Sequence, residues 1–268
     1  MICFAAIAPH GDVDGAPELR AAMEELGRRF DAAAPEVAIV VTPHNVHVEG
    51  HFAVVVSARV GPHEVDRELA AAVVAALRTE GLPVVGVSYG GNDPGEAEMP
   101  LDWGTEVPLA FLHVPRVVVV SPARDRPLAE HVRAGAALAR AVAASNRLLQ
   151  PAEAAVSAAL GEGNTLLRAG TRVALVASAD HGHAHDPDGP YGYDPAAAGY
   201  DALAQEVLAS GRLDFAPLAD LVEDAKADSL WQLLVLQGAV GDVAAADVLA
   251  YAAPTYYGML VASVSVSV

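Results

Sequence analysis

The stretch Val173-Ala-Leu-Val-Ala-Ser-Ala-Asp-His-Gly-His-Ala-His185 constrains this chain more than any other. Val173–Ala177 is apolar at every position, the pattern of a strand buried on both faces. The run stops at Ser178-Ala-Asp180. Three histidines then stand at every second position, His181, His183 and His185, and Asp186-Pro-Asp-Gly-Pro190 can only be loop. A strand covered on both faces belongs to a sheet flanked by helices. In open sheets of that kind, active sites form where the strands end.

The same arrangement recurs along the chain. The apolar run Ile2–Ala8 ends in Pro9-His10-Gly11-Asp12, and Val37–Val41 ends in Thr42-Pro43-His44-Asn45. Pro83–Val87 ends in the Gly-rich Ser88–Asp93, and Val117–Val120 ends in Ser121-Pro122. Between these runs lie helical patterns. Pro17–Phe30 places Leu19, Met23, Leu26 and Phe30 on one stripe. Glu64–Leu77, a short helix within Leu101–Leu109, Leu128–Leu149, Ala152–Leu160, Ala196–Ser210 and Asp228–Leu236 follow. Val46–Val60 reads as strand or hairpin, and the alternating tail Tyr256–Val268 reads as an edge strand. Strands alternating with helices, without a repeat or linker, predict one α/β domain over residues 1–268. Its central sheet is expected to be mainly parallel or mixed and flanked by helices.

Composition narrows the setting. At 268 residues and 53% hydrophobic the chain can bury a large core. No apolar run reaches the length of a bilayer span, and the first residues lack the basic start of a signal peptide, so a cytoplasmic protein without a membrane partner is expected. The single Cys3 lies in an apolar run and is expected to be a buried, inert thiol. A net charge of −18 repels phosphate backbones and argues against nucleic acid as a partner. It also slows anionic substrates unless arginines sit near the site.

Three strands end in histidine: His10, His44 and the cluster at His181–His185. In a parallel sheet the strand C-termini share one edge, so these residues are expected to meet there. Two imidazoles on one edge suit a divalent transition metal. A carboxylate as third ligand makes a facial triad, the usual home of non-haem Fe(II). A third histidine favours zinc.

Four segments carry a resemblance. Ala8-Pro-His-Gly11, Thr42-Pro-His-Asn45, Leu101-Asp-Trp-Gly-Thr-Glu-Val-Pro-Leu109 and Val176-Ala-Ser-Ala-Asp-His-Gly-His183 resemble, in order, motifs of the class III extradiol ring-cleavage dioxygenases. That family includes LigB-type catalytic subunits, DOPA-type dioxygenases and Memo-like proteins. The resemblance implies a LigB-like fold and an Fe(II) held by His10, His44 and a carboxylate on a late helix. The resemblance places that carboxylate a few turns before a Gly-Ala pair, here Gly238-Ala239, and so implies Asp228, with Glu223 as the fallback. A plain helix N-cap before Ser229 is the competing role for Asp228. The resemblance further implies that His183 is the catalytic acid–base and that a catecholic substrate and O2 react at the metal. Trp103 stands where many relatives have histidine beside the substrate, and is expected to contact the ring. His181 and His185 either orient the substrate or line the loop, and Tyr191 and Tyr193 could form part of a lid. His47, His51, His63, His113 and His131 are expected to have no role in the site.

The resemblance leaves other outcomes open. A zinc-dependent hydrolase could use the same edge. A Memo-like protein would keep the fold and bind a metal or a partner without dioxygenase activity. A homo-oligomer is expected from the edge strand at the tail, and some relatives work with a small accessory subunit.

Overall fold

A computed structural model describes residues 1–147 and 170–266. Eleven strands join in one mixed sheet. The strands are β1 (Ile2–Ala8), β2 (Val37–Val41), β3 (Phe52–Val55), β4 (Arg59–Val60), β5 (His63–Val65), β6 (Val84–Val87), β7 (Glu98–Met99), β8 (Arg116–Ser121), β9 (Val173–Ser178), β10 (Ala246–Ala252) and β11 (Met259–Val264). The helices are α1 (Pro17–Ala33), α2 (Arg67–Thr79), α3 (Trp103–Leu109), α4 (Leu128–Arg147), α5 (Pro195–Ala209), α6 (Val222–Ala225) and α7 (Leu230–Val240).

The central strands run β1-β9-β2-β8, all parallel. Every residue of β2 and β9 is buried, as continuous apolar runs require when helices cover the sheet. Register aligns Ala8 with Ser178 and Val41 with Ala177. The segments that follow β1, β2 and β9 therefore leave the sheet side by side. On the far side of β1 the sheet turns antiparallel, with β11 and then β10. At β8 it forks: the C-terminal half pairs antiparallel with β3 and the N-terminal half pairs parallel with β5.

Helix α7 is apolar almost all round, with Leu230, Leu233, Leu234, Val235 and Leu236 buried, so it can only be an interior helix. It packs on α4, β9 and β1. The α4–α7 crossing has no room for side chains at its centre. A Cβ on Gly135 would strike the Val235 carbonyl, and one on Gly238 the Val132 carbonyl.

The structure moves several expected boundaries. Glu64 belongs to β5, and the helix begins only at Arg67, because the Asp66 carboxylate caps it by accepting from Leu69 N–H at 2.9 Å. Val46–Val60 holds two short strands, β3 and β4. The tail strand β11 is interior, between β1 and β10. The edge is β10, which went unread because Ala246–Ala252 carries no clear alternation. Cys3 is half-buried, and burial raises its thiol pKa. The helix expected at Ala152–Leu160 lies outside the described residues. No helix among the described residues is long and apolar enough to cross a membrane.

Candidate metal centre

His10 stands two residues past β1 and His44 three past β2. Asp228 lies just before α7. Their side chains meet in the described structure. His10 Nε2 and His44 Nε2 are 2.9 Å apart, and Asp228 Oδ2 is 3.4 Å from the first and 3.5 Å from the second. Three donors about 2.1 Å from one ion stand about 3.0 Å apart at right angles and about 3.4 Å apart in a tetrahedron. The observed triangle matches that range. The other Asp228 oxygen, Oδ1, is buried and has no hydrogen-bond partner, an acceptor left for a cation. This buried His-His-Asp group can hold a metal ion.

The tautomer of His10 follows from its neighbours. Ser178 Oγ donates its proton to the Gly104 carbonyl, so toward His10 Nδ1, 3.1 Å away, it can only accept. Nδ1 therefore carries a hydrogen in either protonation state, and Nε2 is the nitrogen turned to the centre. The His10 backbone N–H donates to Asp180 Oδ1 at 3.0 Å, and Asp180 Oδ2 is 3.5 Å from Nε2. Burial alone would lower the His10 pKa, but the Asp180 and Asp228 carboxylates outweigh it and hold the imidazole up at about 9. Burial pushes Asp180 upward. For Asp228 burial pushes upward too, yet the hydrogen bonds from His10 and His44 win and hold it well below the usual carboxylate range.

The loop bearing His44 is fixed by α3. Asp102 caps that helix, accepting from Thr105 N–H at 3.1 Å and Thr105 Oγ1–H at 2.8 Å. The same carboxylate accepts from Asn45 Nδ2 at 3.1 Å and Thr42 Oγ1 at 3.3 Å. Gly104 presses so close that a Cβ there would strike Thr42 Oγ1 and come within 3.3 Å of the His44 ring. The Leu101–Leu109 segment thus acts by holding the Thr42-Pro-His-Asn45 turn.

Above the triangle opens a cleft of about 840 Å³. His183 lines it and is half-buried. His183 Nδ1 lies 2.8 Å from the His181 carbonyl, which can only accept, so Nδ1 carries the hydrogen and Nε2 is the basic nitrogen. Tyr257, Tyr191 and Tyr256 surround its ring at 5.6, 6.0 and 5.9 Å between centroids. Trp103 is 57% exposed and lies over the His44 ring at 4.5 Å. It lines the cleft. Asp228 does not cap α7: Ser229 is the N-cap and no side chain bonds there. Glu223 also lines the cleft but is not among the three converging donors.

Two expected substrate contacts are corrected. His181 is fully buried and bonds Ser229 Oγ at 3.0 Å, which in turn meets Tyr200 OH at 2.9 Å. Burial lowers its pKa. His185 Nε2 bonds Asp201 Oδ2 at 2.8 Å, and the same carboxylate takes Tyr251 OH and the Gly182 N–H. Neither lines the cleft. Every-second spacing keeps residues on one face only within a strand, and past Ser178 the backbone leaves the ladder. Tyr193 does not line the cleft either.

Other cleft residues were not foreseen: Asp180, Arg124, Lys226, Trp231 and the Tyr256-Tyr257 pair. Asp180 and Arg124 each follow a buried strand, a signal present in the sequence. The tyrosine pair reaches the cleft because β11 returns beside β1, which no local pattern announces.

No family model matches the sequence, and no curated protein matches it. Among solved structures, the chain is similar to the crystal structure of the uncharacterized protein JW3007 from Escherichia coli K12. The TM-score is 0.63 at 16% identity, over 97% of this chain and 99% of that one. The two share an α/β fold with a mixed central sheet flanked by helices along nearly their whole lengths.

Proposed function

We propose that this protein is a non-haem Fe(II)-dependent extradiol dioxygenase that opens the ring of a catecholic substrate with O2. The observation that carries the reading is the His10–His44–Asp228 triangle, set at strand ends and open to a cleft. Two imidazoles and one carboxylate on one face are the donor set of facial-triad Fe(II) sites. The order of the four motifs that resemble the class III extradiol enzymes supports the same reading.

In this proposal His10, His44 and Asp228 hold the iron, which when bound supplies a site where both catechol oxygens and O2 come together. His183 takes a hydroxyl proton from the substrate at Nε2 and later returns it, while the His181 carbonyl keeps Nδ1 protonated throughout. An imidazole suits both directions because its ordinary pKa lies near neutrality. Trp103 and the tyrosine wall flank the ring and exclude water. Trp103 also bears on His44 directly, so it does part of the positioning that a histidine there would not. No redox partner is required, since the substrate supplies the electrons.

The separations of 3.4 and 3.5 Å are also those of a tetrahedral zinc site, which keeps a zinc-dependent hydrolase as the second reading. Metal analysis of protein purified without oxygen, with a panel of catechols in air, separates the two. The dioxygenase gives iron and a yellow ring-opened product. Zinc with no turnover overturns it. His183→Ala is expected to abolish turnover and keep the metal, whereas His10→Ala and Asp228→Ala lose the metal.

A further inference from the structure

Helix α5 turns Ala197, Tyr200, Asp201, Ala204, Val207 and Leu208 inward, so one carboxylate sits on a face that is otherwise mostly apolar. Asp201 is 1% exposed. A charge buried that deeply is tolerated only where donors surround it. Gly182 N–H donates to Oδ1 at 2.7 Å, and His185 Nε2 and Tyr251 OH donate to Oδ2 at 2.8 and 2.7 Å. Burial raises the Tyr251 pKa, so its hydroxyl stays protonated and able to donate. Gly258 packs so close that a Cβ there would strike Oδ2, which leaves the carboxylate little room to move.

The bond to Gly182 bears on His183. Gly182 N–H and the His181 carbonyl belong to one peptide unit. No peptide bond among the described residues is cis, so the two groups point in opposite directions. With the N–H drawn to Asp201, the carbonyl faces the other way, where it meets His183 Nδ1 at 2.8 Å. The peptides on either side are tied to the chain entering β11: His181 N–H donates to the Gly258 carbonyl at 2.8 Å, and Gly258 N–H to the Gly182 carbonyl at 2.9 Å. We propose that Asp201 is a positioning residue that selects the Nδ1–H tautomer of His183 by fixing the His181–Gly182 peptide. Neutral histidine in water favours hydrogen on Nε2, and that form would present no lone pair at Nε2. Which ring nitrogen carries the hydrogen is set by the bond the other nitrogen makes, and here that bond is aimed by a carboxylate that never touches the ring. The proposal rests on the dioxygenase reading for what His183 does with its proton, and adds the group that makes Nε2 basic.

The test reads the ring-nitrogen NMR shifts of His183 in the full chain with isotope-labelled histidine, at a pH where the ring is neutral. Zinc replaces iron so that the lines stay sharp, and His183→Gln assigns the signals. The wild type is expected to carry hydrogen on Nδ1. Asp201→Ala is expected to move it to Nε2, and Asp201→Asn, whose oxygen can still accept from Gly182, to keep it on Nδ1. Tyr251→Phe takes a donor from the same carboxylate without touching that peptide, so it is expected to lower the melting temperature and leave the tautomer unchanged. If Asp201→Ala does not fold, Asp201→Ser takes its place. With iron and a catechol in air, the variant that moves the tautomer is expected to lose on the order of tenfold or more in kcat with its iron content kept. The proposal is overturned if the wild type carries hydrogen on Nε2, if the Asp201 variant leaves the tautomer in place, or if turnover is unchanged where the tautomer has moved. If the wild type turns over no catechol, the dioxygenase reading falls, and the tautomer shifts still decide whether Asp201 sets the ring.

Discussion

Ser178 decides which nitrogen of His10 faces the cleft, and does so from the end of the strand beside it. Ser178→Ala removes the acceptor at Nδ1 and leaves the ring free to turn or change tautomer. Metal affinity is expected to fall roughly 10–100-fold while the fold persists, read by metal titration and far-UV dichroism. His131 makes a separate prediction. Burial lowers its pKa from the ordinary 6.5, against the upward pull of the Pro127 and Ala123 carbonyls. The folded state thus takes the proton later than the unfolded chain. Just below pH 6.5 the unfolded chain binds more protons, so stability falls as acid is added. Urea midpoints from about pH 7.5 to about pH 5.5 are expected to decline less steeply in His131→Gln than in the wild type. At this scale His10, His44 and His183 were legible in the sequence because each follows a buried run. Asp228 was legible only through the resemblance, since a lone Asp before a helix reads equally as a cap. Lys226 gave no signal, because nothing local to the sequence says that the end of α6 reaches the cleft.

Helix α3 matters for what its first turn holds. Asp102→Ala removes the cap and the bonds to Thr42 and Asn45 together. The cap alone is worth about 1 kcal/mol. Its loss is expected to lower the melting temperature modestly and metal affinity more than that, because His44 is released. Asp102→Asn keeps a capping oxygen and is expected to recover most of the stability. At the α4–α7 crossing, Gly238→Ala drives a methyl into the Val132 carbonyl, with an expected loss of about 1–3 kcal/mol in urea unfolding. Helices and buried strands were legible from periodicity. What was not legible was set by tertiary contacts. Asp66 starts α2 late because it both caps that helix and pairs with Arg116 at 2.7 Å. The tail strand sits inside the sheet because β10, too irregular to read, covers it.

For the whole molecule, the metal donors stand at the rim of a core that is complete without them. Chelator-treated protein is therefore expected to remain folded, in contrast to small domains that metal holds together. Added metal at about a hundred times its Kd is expected to stabilise by roughly 2.7 kcal/mol, and His44→Ala to erase that gain without changing the metal-free melting temperature much. The sheet's return through β11 has one more consequence. Tyr257 reaches the wall beside Gly11 only after β11 has slotted between β1 and β10. A nascent chain emerging from the ribosome thus carries His10 and His44 long before the wall exists. The cavity closes only once β10 and β11 have emerged and paired, and binding in it waits for them.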